Sequence, residues 1–425
     1  MSATATLSAP RATGPAPLLV AVLGLLSAFQ PFALYMYLPG FVPLARDLRT
    51  SAIGVQLTLS AFLLGVALGQ FSIGALSDRL GRRAPLLVCL ALCTVAGAVC
   101  ALAPAIGVLI AARFVQGLAG SAAIVAGRAI VTDTGRGRDA ARVFGILMAV
   151  LGVAPVVAPL AGGIVAGTAG WRGVFAALAL LSLLMFLAAL VAVPETLPKH
   201  RRGAVDLHAT ARVVRGLLLD GPFLGYALAF TFAFGALMAY VAASPFVLGN
   251  LFGLTTATFS LAFAINALGL FLVSTVNARL VYRFSPHRLL QTGLAILFVA
   301  AAALCVLAVT GLLSEVTGLP LLLVAVSSLG LVLGNAAALA LGRAPHSAVT
   351  ASALLGTLQF AFGALVAPLA GLRGDRSAVP MALVMDLCAV LALLALALTR
   401  NALDLTPGER PDAERAGMRS CDQRG

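Results

Sequence analysis

The sequence predicts an all-α membrane protein with twelve transmembrane helices in two six-helix bundles. Three observations predict it. Of 425 residues, 61% are hydrophobic and only 10% are charged, whereas a soluble domain carries about 25% charged residues. Twelve stretches are apolar over the ~20 residues a helix needs to cross hydrocarbon. One longer polar connection divides them six and six.

The spans run in order at 18–40, 52–75, 85–104, 107–131, 140–164 and 173–193, then at 222–248, 256–280, 288–311, 319–342, 348–372 and 377–398. Before them, residues 1–17 form a short tail with one cation, Arg11. No convincing cleavage site follows span 1, which keeps the span count even. Most connections are short, as antiparallel neighbours require. The segment 194–221 is the longer one, a basic linker holding Glu195, Lys199, His200, Arg201, Arg202, Asp206, His208, Arg212, Arg215 and Asp220. The bundles are therefore expected at 18–193 and 222–398. The tail 399–425 mixes Pro407, Gly408, Glu409, Pro411 and Glu414 with arginines, a solvated and disordered composition.

There are 28 Lys+Arg against 15 Asp+Glu, a net charge of +13, and Lys199 is the one lysine. Such an excess suits nucleic acid or the cytoplasmic side of a membrane. The loops decide. With both termini cytoplasmic, 21 of the 28 cations fall inside. Five fall outside (Arg46, Arg49, Arg172, Arg373 and Arg376), and Arg113 and Arg128 lie within span 4. The expectation is a multi-pass protein of the cell membrane, embedded in lipid, monomeric and without a nucleic-acid partner. Five of the six cysteines (Cys89, Cys93, Cys100, Cys305, Cys388) sit in apolar runs and Cys421 in the tail, with no CxxC pair. Small apolar filler is their expected role. The histidines fall in or beside polar loops, so neither a metal site nor a cofactor is expected.

After span 2 the chain reads Gly74-Ala75-Leu76-Ser77-Asp78-Arg79-Leu80-Gly81-Arg82-Arg83. The glycines would allow a tight turn at the membrane surface. Asp78 could pair with an arginine or cap a neighbouring helix, and the arginines could hold anionic headgroups. After span 8, Arg279, Leu280 and Arg283 repeat Arg79, Leu80 and Arg83 at an offset of 200 residues. Beside the six-plus-six division this points to two similar halves, as in transporters with a site between repeats.

The first of these loops resembles the G-x-L-S-D-R-x-G-R-R signature of the major facilitator superfamily at every fixed position. Arg113-Phe114-Val115-Gln116-Gly117 and Arg128-Ala129-Ile130-Val131-Thr132-Asp133 in span 4 resemble the buried-arginine motif of proton-coupled drug exporters. Gly152 to Gly163 in span 5, with Pro155 and Pro159, is similar to the antiporter motif. Pro194-Glu195-Thr196-Leu197-Pro198, Met36-Tyr37-Leu38-Pro39 and Ala243-Ser244-Pro245-Phe246 add to a resemblance to the bicyclomycin/chloramphenicol-resistance group over residues 18–400.

The resemblance implies the major facilitator fold. It implies a conformational latch at Gly74, Asp78, Arg79, Gly81, Arg82 and Arg83. It also places Arg113 toward the central cavity, where it would tune a nearby acid. In span 5, Pro155 and Pro159 each remove a helical donor and would bend the helix. Gly152, Gly162 and Gly163 would let another helix approach closely.

Ionisable groups at membrane depth mark function by default. Arg113 fits that reading, or a structural arginine bonded to backbone carbonyls. Arg128 and Asp133 could serve coupling or orient the loop after span 4. The resembling group commonly carries Asp-Met-Tyr-Leu-Pro at the end of span 1, and this chain has Tyr35 in the acid's place. A tyrosine, with an ordinary pKa near 10, exchanges protons poorly at neutral pH. Asp386 in span 12 is the one carboxylate well inside a span. It is a coupling candidate, set against the peripheral place that span 12 takes in this fold.

In the resembling fold, spans 1, 4, 7 and 10 line the cavity. That nominates Gln30, Tyr35, Met36, Arg113, Gln116, Phe230, Phe234, Met238, Tyr240 and Asn335, a set suited to a bulky amphipathic ligand. Asn266 and Gln359 would bond between helices. The expected function is export of amphipathic small molecules, drug or natural product, by alternating access in exchange for protons. The alternatives are a metabolite exporter with weak or no proton coupling, and a non-transporting sensor. No in-span His, Ser-His pair or paired carboxylates suggest an enzyme.

Overall fold

Hydrocarbon offers backbone amides no partner, so a chain this apolar satisfies them within helices. The computed structural model describes residues 17–134, 138–203, 207–372 and 377–403. The expected N-terminal tail, Arg136, Asp206, Arg373, Arg376 and the C-terminal tail from 404, with Cys421, lie outside the described residues. Thirteen α-helices are described: α1 Pro17–Tyr35, α2 Phe41–Asp47, α3 Ala52–Leu80, α4 Arg83–Ala101, α5 Ile106–Thr134, α6 Arg138–Ala192, α7 Leu207–Leu219, α8 Gly221–Phe246, α9 Thr256–Leu280, α10 Pro286–Val309, α11 Glu315–Gly342, α12 Ala348–Leu369 and α13 Val379–Leu403.

Helix starts follow local chemistry. Ser51, Asp220, Thr255, Ser285 and Ser314 each accept a hydrogen bond from a first-turn amide of α3, α8, α9, α10 and α11, filling donors that have no helical partner. Helix ends follow glycine: Gly81 terminates α3 at φ 101°, a backbone region that glycine enters without strain.

Eleven helical runs are long and apolar enough to cross a membrane. One of them, Arg142–Ala192, is 51 residues long, about 77 Å at 1.5 Å per residue and more than twice the hydrocarbon thickness. Gly170, at φ 69°, breaks its helical backbone. It therefore holds two spans, and twelve crossings result. The separate spans expected at 140–164 and 173–193 are thus joined by helix through the short polar connection, because nothing before Gly170 stops it.

Two helices were not expected. The short α2 follows span 1. The helix α7 lies in the linker, where it turns Leu217 into the core and leaves Arg212 and Arg215 exposed.

Within the first six spans, α3 packs on α5, α4 on α5 and α6, and α1 on α6. Within the last six, α8 packs on α13, α12 and α11, and α10 on α11 and α13. The two sets meet along α3 with α12 and along α6 with α9. Exposed Leu64, Val88, Leu187, Val276, Val299 and Leu387 face outward, the surface that lipid would cover. With α7 at one end, the two ends of the bundle are called here the linker end and the far end.

Candidate functional site

The seam between the halves is closely packed. Gln56 on α3 donates through Nε2 to the Ala242 carbonyl on α8 at 3.0 Å. Thr357 on α12 donates to the Ala67 carbonyl on α3 at 3.2 Å. Glycines bring the helices together: a β-carbon on Gly356 would lie 3.2 Å from Gln70 Cδ. In α6, a β-carbon on Gly152 would lie 2.7 Å from the Phe271 ring of α9, Gly163 faces Ser260 of α9, and Gly162 faces the Met36 carbonyl. Pro155 and Pro159 lie within α6, whose one non-helical residue is Gly170. The backbone break of α6 falls at Gly170, where φ is 69°.

Two cavities flank the middle of the seam. The far-end cavity has a volume of about 620 Å³ and is lined by Leu38, Val42, Arg46, Pro245, Asn250 and Phe259 among others. The linker-end cavity, about 290 Å³, is lined by Gly152, Pro155, Ala267, Leu270, Phe271 and Leu333 among others. Between them stand three rings. Tyr35 lies 5.8 Å from Phe263, and Phe263 stacks on Tyr240 at 5.3 Å with 20° between planes. Asn266 donates to the Tyr240 hydroxyl at 2.9 Å.

Arg113 is fully buried in the first half. Its Nη1 donates to Gln116 Oε1 at 2.7 Å and its Nη2 to the Ala33 carbonyl at 2.9 Å. Ala33 lies in the last turn of α1, where carbonyls lose their helical donors. The guanidinium sits 4.3 Å from the Tyr37 ring centroid, 4.2 Å from Phe62 and 5.7 Å from Phe175. Its cage consists of neutral acceptors and π-faces, so cation–π attraction substitutes for a carboxylate.

The motif around Asp78 and Arg82 lies at the linker end. Arg82 Nη1 donates to Asp78 Oδ1 at 2.5 Å and to Ser77 at 3.2 Å, and its Nε to Asp133 Oδ2 at 3.3 Å. Thr196 donates to the same Asp133 oxygen at 3.1 Å. Glu195 accepts from the Arg82 and Arg83 amides at 2.9 and 3.4 Å and pairs with Arg202 at 3.3 Å. Burial raises the Glu195 carboxyl. The hydrogen bonds from Leu197, Arg82 and Arg83, with Arg202, outweigh this and hold it below the usual range. Arg83 donates to the Leu190 carbonyl at 2.8 Å. Arg79 stands exposed in the last turn of α3. Gly74 lies inside α3, in ordinary contact with Val125 at 3.7 Å. The expected tight turn therefore falls on Gly81 alone, because the helix runs on to Leu80.

The structure separates the coupling candidates. Asp133 bonds to Arg82 and Thr196, about 30 Å along α5 from Arg113 at 1.5 Å per residue. Arg128 is exposed near the linker end of α5. Asp386 is half-buried on α13, whose neighbours are α8, α10 and α12.

The nominated cavity residues also scatter. Tyr35 and Tyr240 meet through Phe263. Met36 and Gln116 are buried, Gln116 on Arg113, while Gln30 and Phe230 are half-buried. Phe234 and Met238 pack at Gly363 of α12. Asn335 donates to Asn277 of α9 at 2.8 Å. It thus ties α11 to α9, two residues along α11 from Leu333, which lines the linker-end cavity. Sequence reading missed Glu195 as a partner of the latch, Phe263 as the central ring, and Tyr37, Phe62 and Phe175 around Arg113. An apolar ring carries no sequence signal of its own.

The sequence profile of the Major Facilitator Superfamily matches residues 23–368. The chain belongs to the major facilitator superfamily. It is accordingly a multi-pass membrane transporter. It is 37% identical to the uncharacterised MFS-type transporter YdgK of Bacillus subtilis, over 88% of this chain and 93% of that protein. It is 32% identical to the bicyclomycin resistance protein homolog of Haemophilus influenzae, over 88% and 94%. It is 31% identical to the chloramphenicol resistance protein of Pseudomonas aeruginosa, over 68% of each chain. Solved structures share the fold. A bacterial homolog of the lysosomal transporter Spinster, inward-facing and occupied, superposes with a TM-score of 0.71 at 18% identity, covering 92% of this chain and 98% of that one. A D-xylose–proton symporter superposes at 0.68 and 15% identity, covering 88% and 96%.

Proposed function

We propose that this transporter exports amphipathic small molecules, drug or natural product, by alternating access in exchange for protons. The observation that carries the reading is the ring partition at Tyr35, Phe263 and Tyr240, with a cavity on either side of it at the seam. Apolar rings can part and re-form without breaking an ion pair, as a barrier between two access paths must. The names of the bicyclomycin- and chloramphenicol-resistance relatives support the substrate class. The distribution of cations supports cytoplasmic termini.

A second reading has the same fold exporting a metabolite with weak or no proton coupling. It is favoured by Tyr35 at the position of the acid and by the neutral cage around Arg113. In both readings the Asp78–Arg82–Asp133 cluster works as a conformational latch. Uptake into inverted membrane vesicles, with and without an imposed pH gradient, tests the first reading. Gradient-driven uptake supports proton exchange, and uptake indifferent to the gradient overturns it in favour of the second.

A further inference from the structure

Four residues of α9 line up on one face: Phe259, Phe263, Asn266 and Ala267. The first lines the far-end cavity and the last lines the linker-end cavity. Asn266 therefore lies at the level of the ring partition between the two cavities. It is 97% buried, since its exposure is 3%.

The polar capacity there can be counted atom by atom. Asn266 Nδ2 has two hydrogens. One is given to the Ala262 carbonyl at 3.1 Å and one to the Tyr240 hydroxyl at 2.9 Å. Ala262 offers only a carbonyl, so the amide nitrogen must face it and the Oδ1 assignment follows. Asn266 Oδ1 is buried and accepts no hydrogen bond among the described residues. The Tyr240 hydroxyl accepts from Asn266 and so retains its own hydrogen to give. The pair thus presents one acceptor and one donor at the partition, in a medium where an unmatched polar group is expensive.

We propose that Asn266 and Tyr240 form the polar end of a ligand subsite whose apolar walls are Phe263, Tyr35 and Phe259. The subsite selects an uncharged aromatic solute that carries a hydrogen-bond donor and acceptor side by side, as in a carboxamide or a vicinal hydroxyl-amide. The donor of the solute meets Asn266 Oδ1, its acceptor meets the Tyr240 hydroxyl, and its ring replaces the Tyr35–Phe263 contact. Every member of the subsite is neutral, so a permanent cation or a carboxylate finds no counter-charge there. This assignment rests on the export reading for its role in transport, though the binding site itself is tested without transport.

The experiment is equilibrium dialysis on the full chain in lipid nanodiscs with three probes. These are chloramphenicol as a neutral aryl amide, tetraphenylphosphonium as a bulky cation and 2-naphthoate as an anion. The wild type should bind the amide more tightly than either ion. Asn266→Leu and Tyr240→Phe should each weaken amide binding about five- to tenfold, the effect of one hydrogen bond, with thermal unfolding recorded to show that each variant is folded. Asn266→Asp should raise tetraphenylphosphonium binding relative to the amide. Unchanged amide affinity in both Asn266→Leu and Tyr240→Phe, or a wild type that binds either ion more tightly than the amide, overturns the proposal. Binding that follows this pattern in a protein that moves no amide across vesicles leaves the subsite standing and removes the export reading instead.

Discussion

Gly81 and Glu195 lie so close that a β-carbon on residue 81 would come within 2.8 Å of the Glu195 carboxyl carbon. The same glycine holds φ at 101°. Both facts exclude a side chain at the turn between α3 and α4, and together they seat that turn against the start of the linker. Gly81→Ala should therefore cost about 1–3 kcal/mol from backbone strain alone, with more from displacing Glu195 and Arg202. The expected result is a lower unfolding temperature in detergent together with reduced transport. A variant with wild-type melting and wild-type uptake would show that the turn tolerates a β-carbon.

Glu195 sits at the amides that open α4, where a negative charge meets both unpaired donors and the positive end of the helix. Glu195→Gln keeps the shape and one acceptor but removes the charge facing Arg202. It should lower stability by about 0.5–1 kcal/mol, read as a small downward shift of the melting temperature at neutral pH. The pH dependence has a fixed sign. The folded carboxyl is held below its ordinary value, so its contribution is fully present above about pH 5 and fades as pH falls through the lowered value. Wild type and Glu195→Gln should thus differ at pH 7 and converge as the pH drops below about 4.

Asp78 is half-exposed and its partner Arg82 largely covered, with side-chain exposures of 50% and 12%. A pair this exposed contributes little to folding, about 0.2–1 kcal/mol after solvent screening. Asp78→Asn should therefore insert and fold normally. If the cluster sets the balance between conformations, transport should fall by up to about fivefold, the same free energy read as a rate. Full uptake activity at normal expression would remove Asp78 from the latch.

How much of this was legible in the sequence depends on range. The spans were legible because burial in lipid demands some twenty consecutive apolar residues, a purely local property. Asp78 and Arg82 were legible because one short motif sets an acid among three arginines. Glu195, 113 residues from Arg82, was visible as an acid in a basic linker and a motif residue, but not as a partner of Arg82. Gly74 looked like a turn residue since nothing local distinguishes a glycine within a helix from one that ends it. From sequence, Asn335 was expected in the cavity and Asn266 in a bond between helices. Only the packing of α9 between α8 and α11 turns one amide toward Asn277 and the other toward Tyr240 at the partition.

Arg113 is held by fork geometry: two nitrogens serve two acceptors on different elements, Gln116 beside it on α5 and Ala33 on α1. Arg113→Lys keeps the charge but gives a point donor that cannot satisfy both. One buried acceptor is then left unpaired, at a cost of about 1–3 kcal/mol. The expected outcome is a lower melting temperature and loosening of the far end of α1, read as faster reaction of a cysteine placed at Ala33 with a membrane-permeant maleimide. Unchanged melting and labelling would show that the α1–α5 bond is dispensable.

Tyr35 carries two consequences at once, since it fills the position of the acid and also one side of the ring partition. Tyr35→Asp separates them. The substitution removes the Tyr35–Phe263 contact, worth about 0.5–1.5 kcal/mol beyond burial, so the partition should leak and the basal exchange of solute should rise. It also adds a carboxylate, a group that can take up and release a proton, which a tyrosine with its ordinary pKa near 10 does poorly at neutral pH. Uptake into inverted vesicles should then depend more steeply on the imposed pH gradient than in the wild type. Tyr35→Phe is the matched control: it keeps the ring and adds no acid, so its gradient dependence should equal that of the wild type. If Tyr35→Asp and Tyr35→Phe show the same gradient dependence, residue 35 has no part in coupling and its role is confined to the ring partition.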